Sequence, residues 1–362
     1  KMLNQLSQGE GEVTRVLGFD ADEKNLFYVS CAQSPVERHL YKANLNSGKV
    51  SRLTETAGVH RPKVSADGHY ILNEYSSLKT PRKINLINAS GDLVREVFTA
   101  KNPLKDYQLG EIEINTLTNE EDTKLYYRMI KPVDFDPEKE YPVIVYVYGG
   151  PHVQLIKNQW LGGANLWAQF MAQNGYLVFT LDNRGSANRG LKFENVIFRN
   201  MGVKEVRDQM EGIDFLTSLP YVNSRRIGVF GWSYGGFMTT SLMLKNPGVF
   251  KVGVAGGPVI DWKYYEVMYG ERYMDKPEEN PFGYENANLL NHVDKLEDRL
   301  LMIHGAQDPV VVWQHSMLFI DKCIKKGKPI DYFVYPNHEH NVRGKDRIHL
   351  MKKVSQYFWD FL

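Results

Sequence analysis

A serine set between glycines offers the first chemistry in this chain: Gly231-Trp232-Ser233-Tyr234-Gly235-Gly236. Ahead of it runs Ile227-Gly228-Val229-Phe230, apolar and partly β-branched, and the stretch from Phe237 to Lys245 behind it reads as helix. Strand, sharp turn and helix are the context in which G-x-S-x-G lifts a serine hydroxyl above a strand end. Gly231 and Gly235 leave room for a strained turn, and the positive end of the following helix favours negative charge developing near Ser233. Ser233 is therefore read as a nucleophile.

A serine hydroxyl needs a base to take its proton and an acid to orient that base. The run Asp331–Tyr335 leads into Pro336-Asn337-His338-Glu339-His340-Asn341, and either histidine could be the base; position alone does not separate them. For the acid, Leu300–Ile303 leads into His304-Gly305-Ala306-Gln307-Asp308-Pro309. Asp308 sits where a carboxylate can meet the histidine loop, with Asp261 as its competitor and an ordinary turn before Pro309 as the bland alternative. His304 is read as satisfying local backbone groups. The tetrahedral intermediate needs donors aimed at its oxyanion. The N–H of Tyr234 is the first, and the second should come from Tyr146-Val147-Tyr148-Gly149-Gly150-Pro151, as a tyrosine hydroxyl or a backbone N–H.

These residues need a scaffold that brings them together. From Glu111 onward strands and helices alternate. The strands are read at Glu111–Leu117, Leu125–Ile130, Val143–Tyr148, Leu177–Leu181, Ile227–Phe230, Val252–Ala255, Leu300–Ile303 and Asp331–Tyr335. The helices are read at Trp160–Asn174, Val203–Ser218, Phe237–Lys245, Val312–Lys326 and Lys345–Phe361. Near-continuous apolar strands separated by helices predict a doubly wound, mostly parallel eight-stranded sheet. With G-x-S-x-G after the fifth strand, that is an α/β-hydrolase arrangement, whose function gathers at the strand carboxyl ends. After the sixth strand, Trp262, Tyr265 and Tyr269 share one face if the stretch Gly257–Tyr269 is helical. Pattern alone favours a core role for this stripe, although an aromatic slot there would suit a proline-sized side chain.

Before about residue 106 the texture is short strands and turns, with an internal echo. Phe19-Asp20-Ala21-Asp22-Glu23 before Leu26–Val29 resembles Val64-Ser65-Ala66-Asp67-Gly68 before Tyr70–Leu72, and Arg38–Lys42 with Asn46-Ser47-Gly48 resembles Arg82–Leu86 with Ala89-Ser90-Gly91. The offset of about 45 residues matches a four-stranded propeller blade, with a plain β-meander as the alternative. Two blades cannot close a ring, so the expected organisation is part of a β-propeller over 1–107 and the α/β-hydrolase catalytic domain over 108–362. A formal net charge of +1 without a basic run gives no case for nucleic-acid binding. The two cysteines, Cys31 and Cys323, show neither metal-ligand spacing nor a disulfide framework. No apolar run is long enough to span a bilayer.

Taken together, Gly231–Gly236, Tyr148-Gly149-Gly150-Pro151, Trp262-Lys263-Tyr264-Tyr265 with Tyr269–Tyr273, and His304–Asp308 resemble the prolyl oligopeptidase family, in its dipeptidyl peptidase IV branch. Tyr335–Val342 and Asp308–His315 look most like bacterial prolyl tripeptidyl peptidases. The resemblance implies Ser233 as nucleophile, Asp308 as acid and His340, rather than His338, as base. It implies the Tyr148 hydroxyl and the Tyr234 N–H as oxyanion donors, and a proline pocket lined by Tyr234, Val259, Trp262, Tyr265, Tyr269 and Val311. The implied activity is release of di- or tripeptides after proline from free N-termini, with no cofactor or metal, from peptide substrates carrying proline near the N-terminus. Acylaminoacyl peptidase or carboxylesterase chemistry on the same fold is the alternative; a non-enzymatic binding protein would be expected to have lost part of the Ser, Asp and His set. The resemblance also implies a homodimer through the C-terminal part and a periplasmic or extracellular setting. Two departures matter: Val310 stands where the branch has an asparagine, and the paired glutamates that hold the substrate amine belong to propeller segments not visible in this sequence.

Overall fold

Turn chemistry lays out the N-terminal strands. The computed structural model describes residues 5–7, 9 and 11–362, so residues 1–4, 8 and 10 of the expected 1–107 domain lie outside it. Strands β1 (Val13–Phe19), β2 (Asn25–Ser30), β3 (His39–Asn44) and β4 (Val50–Arg52) form one antiparallel meander. A second consists of β5 (Val59–Val64), β6 (Tyr70–Ser77), β7 (Thr80–Asn88) and β8 (Leu93–Thr99). The sequence echo falls on equivalent turns of the two sheets. Between β3 and β4, Asn44 Oδ1 accepts from the Ser47 N–H at 2.9 Å; between β7 and β8, Asn88 Oδ1 accepts from the Ser90 N–H at 2.9 Å. Each turn closes on a glycine in the left-handed region, Gly48 at φ 70° and Gly91 at φ 94°. Phe27, Leu40, Leu53, Ile71 and Ile87 form one apolar cluster drawn from both sheets. These are two four-stranded propeller-type blades.

The chain divides into two units, Lys1–Gln108 with Gln154–Asn165 and Ala187–Phe193, and Leu109–Val153 with Leu166–Ser186 and Glu194–Leu362. The first of the two short later segments contains a break in an expected helix. Trp160–Asn174 reads as one helix by pattern, but only Leu166–Gln173 is α-helical. Leu161, Gly162 and Gly163 all adopt positive φ, and a Cβ on Gly163 would lie 2.6 Å from the Leu155 carbonyl oxygen. That turn ends any helix before it starts, and the segment groups with the N-terminal unit.

The second unit holds β9 (Ile112–Thr118), β10 (Lys124–Ile130), β11 (Tyr141–Tyr146), β12 (Leu177–Asp182), β13 (Val222–Trp232), β14 (Val252–Gly256), β15 (Arg299–Gly305) and β16 (Asp331–Tyr335). They form one sheet in the order β16-β15-β14-β13-β11-β12-β10-β9. Only the β9–β10 and β10–β12 pairings are antiparallel. Every residue of β12 and β14 is buried, which is why these strands read as continuous apolar runs. The helices of the chain are α1 (Leu166–Gln173), α2 (Leu191–Glu194), α3 (Lys204–Thr217), α4 (Tyr234–Lys245), α5 (Val267–Met274), α6 (Pro281–Ala287), α7 (Gln314–Lys325) and α8 (Asp346–Phe361). Among the described residues no helix is long and apolar enough to cross a membrane.

Register decides what meets. Tyr146 pairs with Phe230, Trp232 with Gly256, Gly256 with Ile303, and Gly305 with Tyr335. Parallel strands in that register bring their carboxyl ends to one edge. The loops beginning at Val147, Ser233, Gly257, Ala306 and Pro336 therefore leave the sheet side by side.

Candidate active site

Ser233 occupies a strained elbow. Its backbone sits at φ 63° and ψ −120°, between the last residue of β13 and the first of α4. A non-glycine residue held there costs of order 1–3 kcal/mol. The turn is locked on both sides: the Ser233 N–H donates to the Gly256 carbonyl at 2.8 Å, and its own carbonyl accepts from the Phe237 N–H at 3.0 Å. The flanking glycines are steric requirements. A Cβ on Gly231 would lie 2.2 Å from the Gly235 carbonyl oxygen, and one on Gly235 would lie 2.3 Å from that of Val147. Gly235→Ala is expected to destabilise the chain by about 3 kcal/mol or more, because two backbones must separate; a thermal melt against the parent reads this directly.

The acid and the histidine come from adjoining strand ends that are zipped together. Ala306 N–H donates to the Tyr335 carbonyl at 3.0 Å and Gln307 N–H to that of His338 at 3.1 Å. Gly305 permits this approach, since a Cβ there would be 2.2 Å from the Glu339 carbonyl oxygen. The result is a contact of 2.7 Å between His340 Nδ1–H and Asp308 Oδ2. The other carboxylate oxygen accepts from the N–H groups of Val310 at 2.8 Å and Val311 at 2.9 Å. Asp308 also takes a bond from His304 Nε2–H, 3.3 Å from Oδ2. Burial pushes the Asp308 carboxyl up, but the bonds from His304 and His340 outweigh it and hold it well below the usual carboxylate range.

The alternatives left by the sequence make different contacts. His338 turns away to Asp346, with Nε2 and Oδ2 2.8 Å apart. Asp261 accepts from the Lys263 N–H at 3.0 Å and from Asn288 Nδ2 at 2.9 Å, and burial pushes its carboxyl up. Near the elbow, a Cβ on Gly257 would meet the His340 ring at 3.4 Å, so the imidazole lies over the residue next to Gly256. Trp232, the residue before the serine, donates its indole N–H to the His340 carbonyl at 2.8 Å.

Tyr234 opens α4, where the first N–H groups of a helix have no intrahelical acceptor. Its ring lies 6.0 Å from that of Tyr148, and Gly150 lets the two approach: a Cβ there would be 2.8 Å from atoms of both. Burial raises the Tyr148 hydroxyl above its ordinary pKa, so it remains a protonated donor at neutral pH. The aromatic stripe is not one helix. Asp261 caps a 3-10 turn over Trp262–Tyr264, and Glu266 then caps α5 by accepting from the Met268 N–H. The rings still converge: Trp262 stands 5.3 Å from Tyr265 and 5.8 Å from Tyr269, and those two are 5.3 Å apart. Trp262 is 2% exposed and backs the cluster, whereas Tyr265 and Tyr269 are partly open to solvent. Burial pushes the Tyr265 hydroxyl up to about 12, with Tyr148, Glu266 and Asp308 adding to the shift. Val259 and Val311 are buried, and Val311 is tied to the acid by its N–H.

Arg184 forks onto Asp208, with Nη2 2.6 Å from Oδ1, inside the second unit. At the opposite, amino-terminal edge of the sheet, a cleft lined by Lys251, Asp298, Arg299 and Asp331 holds paired charges. Among the described residues no group of three or more His, Cys, Asp or Glu side chains is placed to hold a metal ion.

A parallel sheet with a positive-φ serine between strand and helix, and a carboxylate–histidine pair on the last two strand ends, defines an α/β-hydrolase. A profile of the prolyl oligopeptidase family matches residues 164–362, and one of the dipeptidyl peptidase IV N-terminal region matches 1–82. The chain belongs to the prolyl oligopeptidase family of serine peptidases. Human dipeptidyl peptidase 8 is 33% identical over 358 residues, covering 93% of this chain and 40% of the relative. A candidate dipeptidyl aminopeptidase IV from Bacteroides ovatus superposes with a TM-score of 0.95 at 47% identity, over 99% of this chain and 51% of that one. Dipeptidyl peptidase 4 of Porphyromonas gingivalis gives 0.94 at 31%, over 100% and 51%. The chain thus spans about half or less of the length of these relatives.

Proposed function

We propose that this chain carries the catalytic machinery of a serine exopeptidase that releases di- or tripeptides after proline from free N-termini. Ser233 is the nucleophile, His340 the general base and Asp308 the residue that orients and stabilises the imidazolium. The observation that carries this reading is the 2.7 Å Asp308–His340 contact on the strand ends beside the Ser233 elbow. In the reaction His340 Nε2 takes the Ser233 proton as Oγ attacks the carbonyl that follows proline. The Tyr234 N–H and the Tyr148 hydroxyl donate to the oxyanion. His340 then returns the proton to the leaving amine, and water repeats the sequence on the acyl-enzyme.

The Tyr265 and Tyr269 rings, backed by Trp262 and with Val259 and Val311, form the slot for the proline ring, an apolar wall that supplies shape without a charge. The test is turnover of proline-ended di- and tripeptide p-nitroanilides beside matched esters. Turnover of simple carboxylate esters with neither post-proline amide cleaved would replace this reading with a carboxylesterase. Tyr148→Phe is expected to lower kcat by about 100-fold with KM little changed, because its hydroxyl serves the transition state; steady-state kinetics separate the two. We also infer pairing of two copies through the C-terminal part, where Ile348, Trp359 and Phe361 of α8 are exposed; light scattering checks it.

A further inference from the structure

Glu205 is the second residue of α3, and by sequence it is an unremarked acid in a first helical turn, where the helix dipole favours one. Its side chain is nevertheless fully buried. Oε1 accepts twice, from the Gly202 N–H at 3.0 Å and from the Tyr234 hydroxyl at 2.6 Å. Oε2 meets no hydrogen-bond donor among the described residues. Stranding one oxygen of a buried carboxyl is costly. Capping the helix requires only the Gly202 bond, which a solvated carboxylate makes equally well, so burial against a tyrosine calls for a second role.

Tyr234 supplies that role, because both of its parts serve the proposed site. Its N–H is an oxyanion donor, and its ring packs 6.0 Å from Tyr148 and 5.3 Å from Trp262. The helix it opens is tied to the same corner at its far end. Lys245, the last residue of α4, donates to the Gly202 carbonyl at 2.9 Å, on the other side of the residue whose N–H Glu205 holds. Gly202 itself, at φ 78°, lets the corner press on α4: a Cβ there would be 2.7 Å from the Phe237 ring.

We propose that Glu205 is a positioning residue for the hydrolytic site. Its bond to the Tyr234 hydroxyl fixes the far end of a side chain whose near end is the oxyanion amide, so one contact sets both the donor and a wall of the pocket. The inference rests on the serine peptidase reading above.

The test is the rate at which a fluorophosphonate labels Ser233, a readout that needs the nucleophile and the oxyanion donors but no peptide selection. Glu205→Leu, which removes the acceptor at similar volume, is expected to slow labelling by roughly 10–100-fold. Glu205→Gln keeps a carbonyl oxygen for the Tyr234 hydroxyl and is expected to recover most of that rate. Tyr234→Phe removes the same bond from the other side and should slow labelling like Glu205→Leu, with the double variant no slower than either. Lys245→Met loosens the corner without touching Tyr234 and is expected to lower the melting temperature while labelling within about twofold of the parent. Parental labelling by Tyr234→Phe overturns the inference even if Glu205→Leu fails to fold. So does a Lys245→Met variant as slow as Glu205→Leu. A folded parent chain that fluorophosphonate does not label at all overturns the peptidase reading itself.

Discussion

Ser233→Ala is expected to abolish fluorophosphonate labelling and to cut turnover of a proline-linked p-nitroanilide by about 10⁵–10⁶-fold. In the proposed mechanism the general base and both oxyanion donors act on the one Ser233 Oγ, so removing it removes the nucleophile outright. The same position makes the loss separable from unfolding. Ser233 is held at φ 63° by the Gly256 and Phe237 bonds, and alanine inherits that strain unchanged. Glycine relieves it. Ser233→Gly should therefore be as inactive as Ser233→Ala yet more stable than it by about 1–2 kcal/mol. Paired thermal melts and activity assays check both halves. An alanine variant that still turns over substrate would remove Ser233 from the chemistry.

Much of this site is legible in the sequence because its pieces are local. The elbow is six consecutive residues, and its glycines announce the close backbone approaches seen at Gly231 and Gly235. The parallel sheet is legible for a related reason: strands buried on both faces, such as β12 and β14, leave near-continuous apolar runs. The base is different. His338 and His340 are two residues apart on one loop, and what separates them is register. Zipping of the Gly305 and Tyr335 strand ends aims one ring at Asp308 and leaves the other to Asp346. Residue types carry no trace of that; only the family resemblance favoured His340.

The stripe from Trp262 to Tyr269 shows the opposite error. Helical spacing suggests one face of one helix, but Asp261 and Glu266 each cap a separate turn, and the rings meet through tertiary packing. Trp232 and Glu205 were not legible at all. Their partners, His340 and Tyr234, lie 108 and 29 residues away, and the signals available were only a tryptophan inside the elbow and an acid in a first helical turn. Long-range positioning contacts leave no periodicity to read.

Asp308→Asn is expected to lower kcat/KM by about 10⁴-fold while leaving fluorophosphonate access to Ser233 sterically open. The hydrogen-bond pattern says why. Val310 and Val311 both donate to Oδ1, so the asparagine oxygen is held on that side, and the amide NH₂ must face His340 and His304. His304 Nε2–H also donates to the Val311 carbonyl at 2.7 Å, so it cannot readily turn an acceptor toward the new NH₂. A donor then opposes His340 Nδ1–H. The imidazole must either turn away or move its proton to Nε2, the nitrogen that has to accept from Ser233. Either outcome leaves nucleophile and histidine present but the base in the wrong tautomer. The substitution also has a pH signature. The folded carboxyl of Asp308 is depressed below its unfolded value of about 3.9, so its contribution to stability is present above that value and lost as pH falls through the folded pKa. Asp308→Asn should therefore flatten the acid limb of a stability-versus-pH curve relative to the parent, a difference that chemical denaturation between pH 2 and pH 6 would measure. Parallel acid limbs for the two proteins, or near-parental turnover in the variant, would place the orienting acid elsewhere.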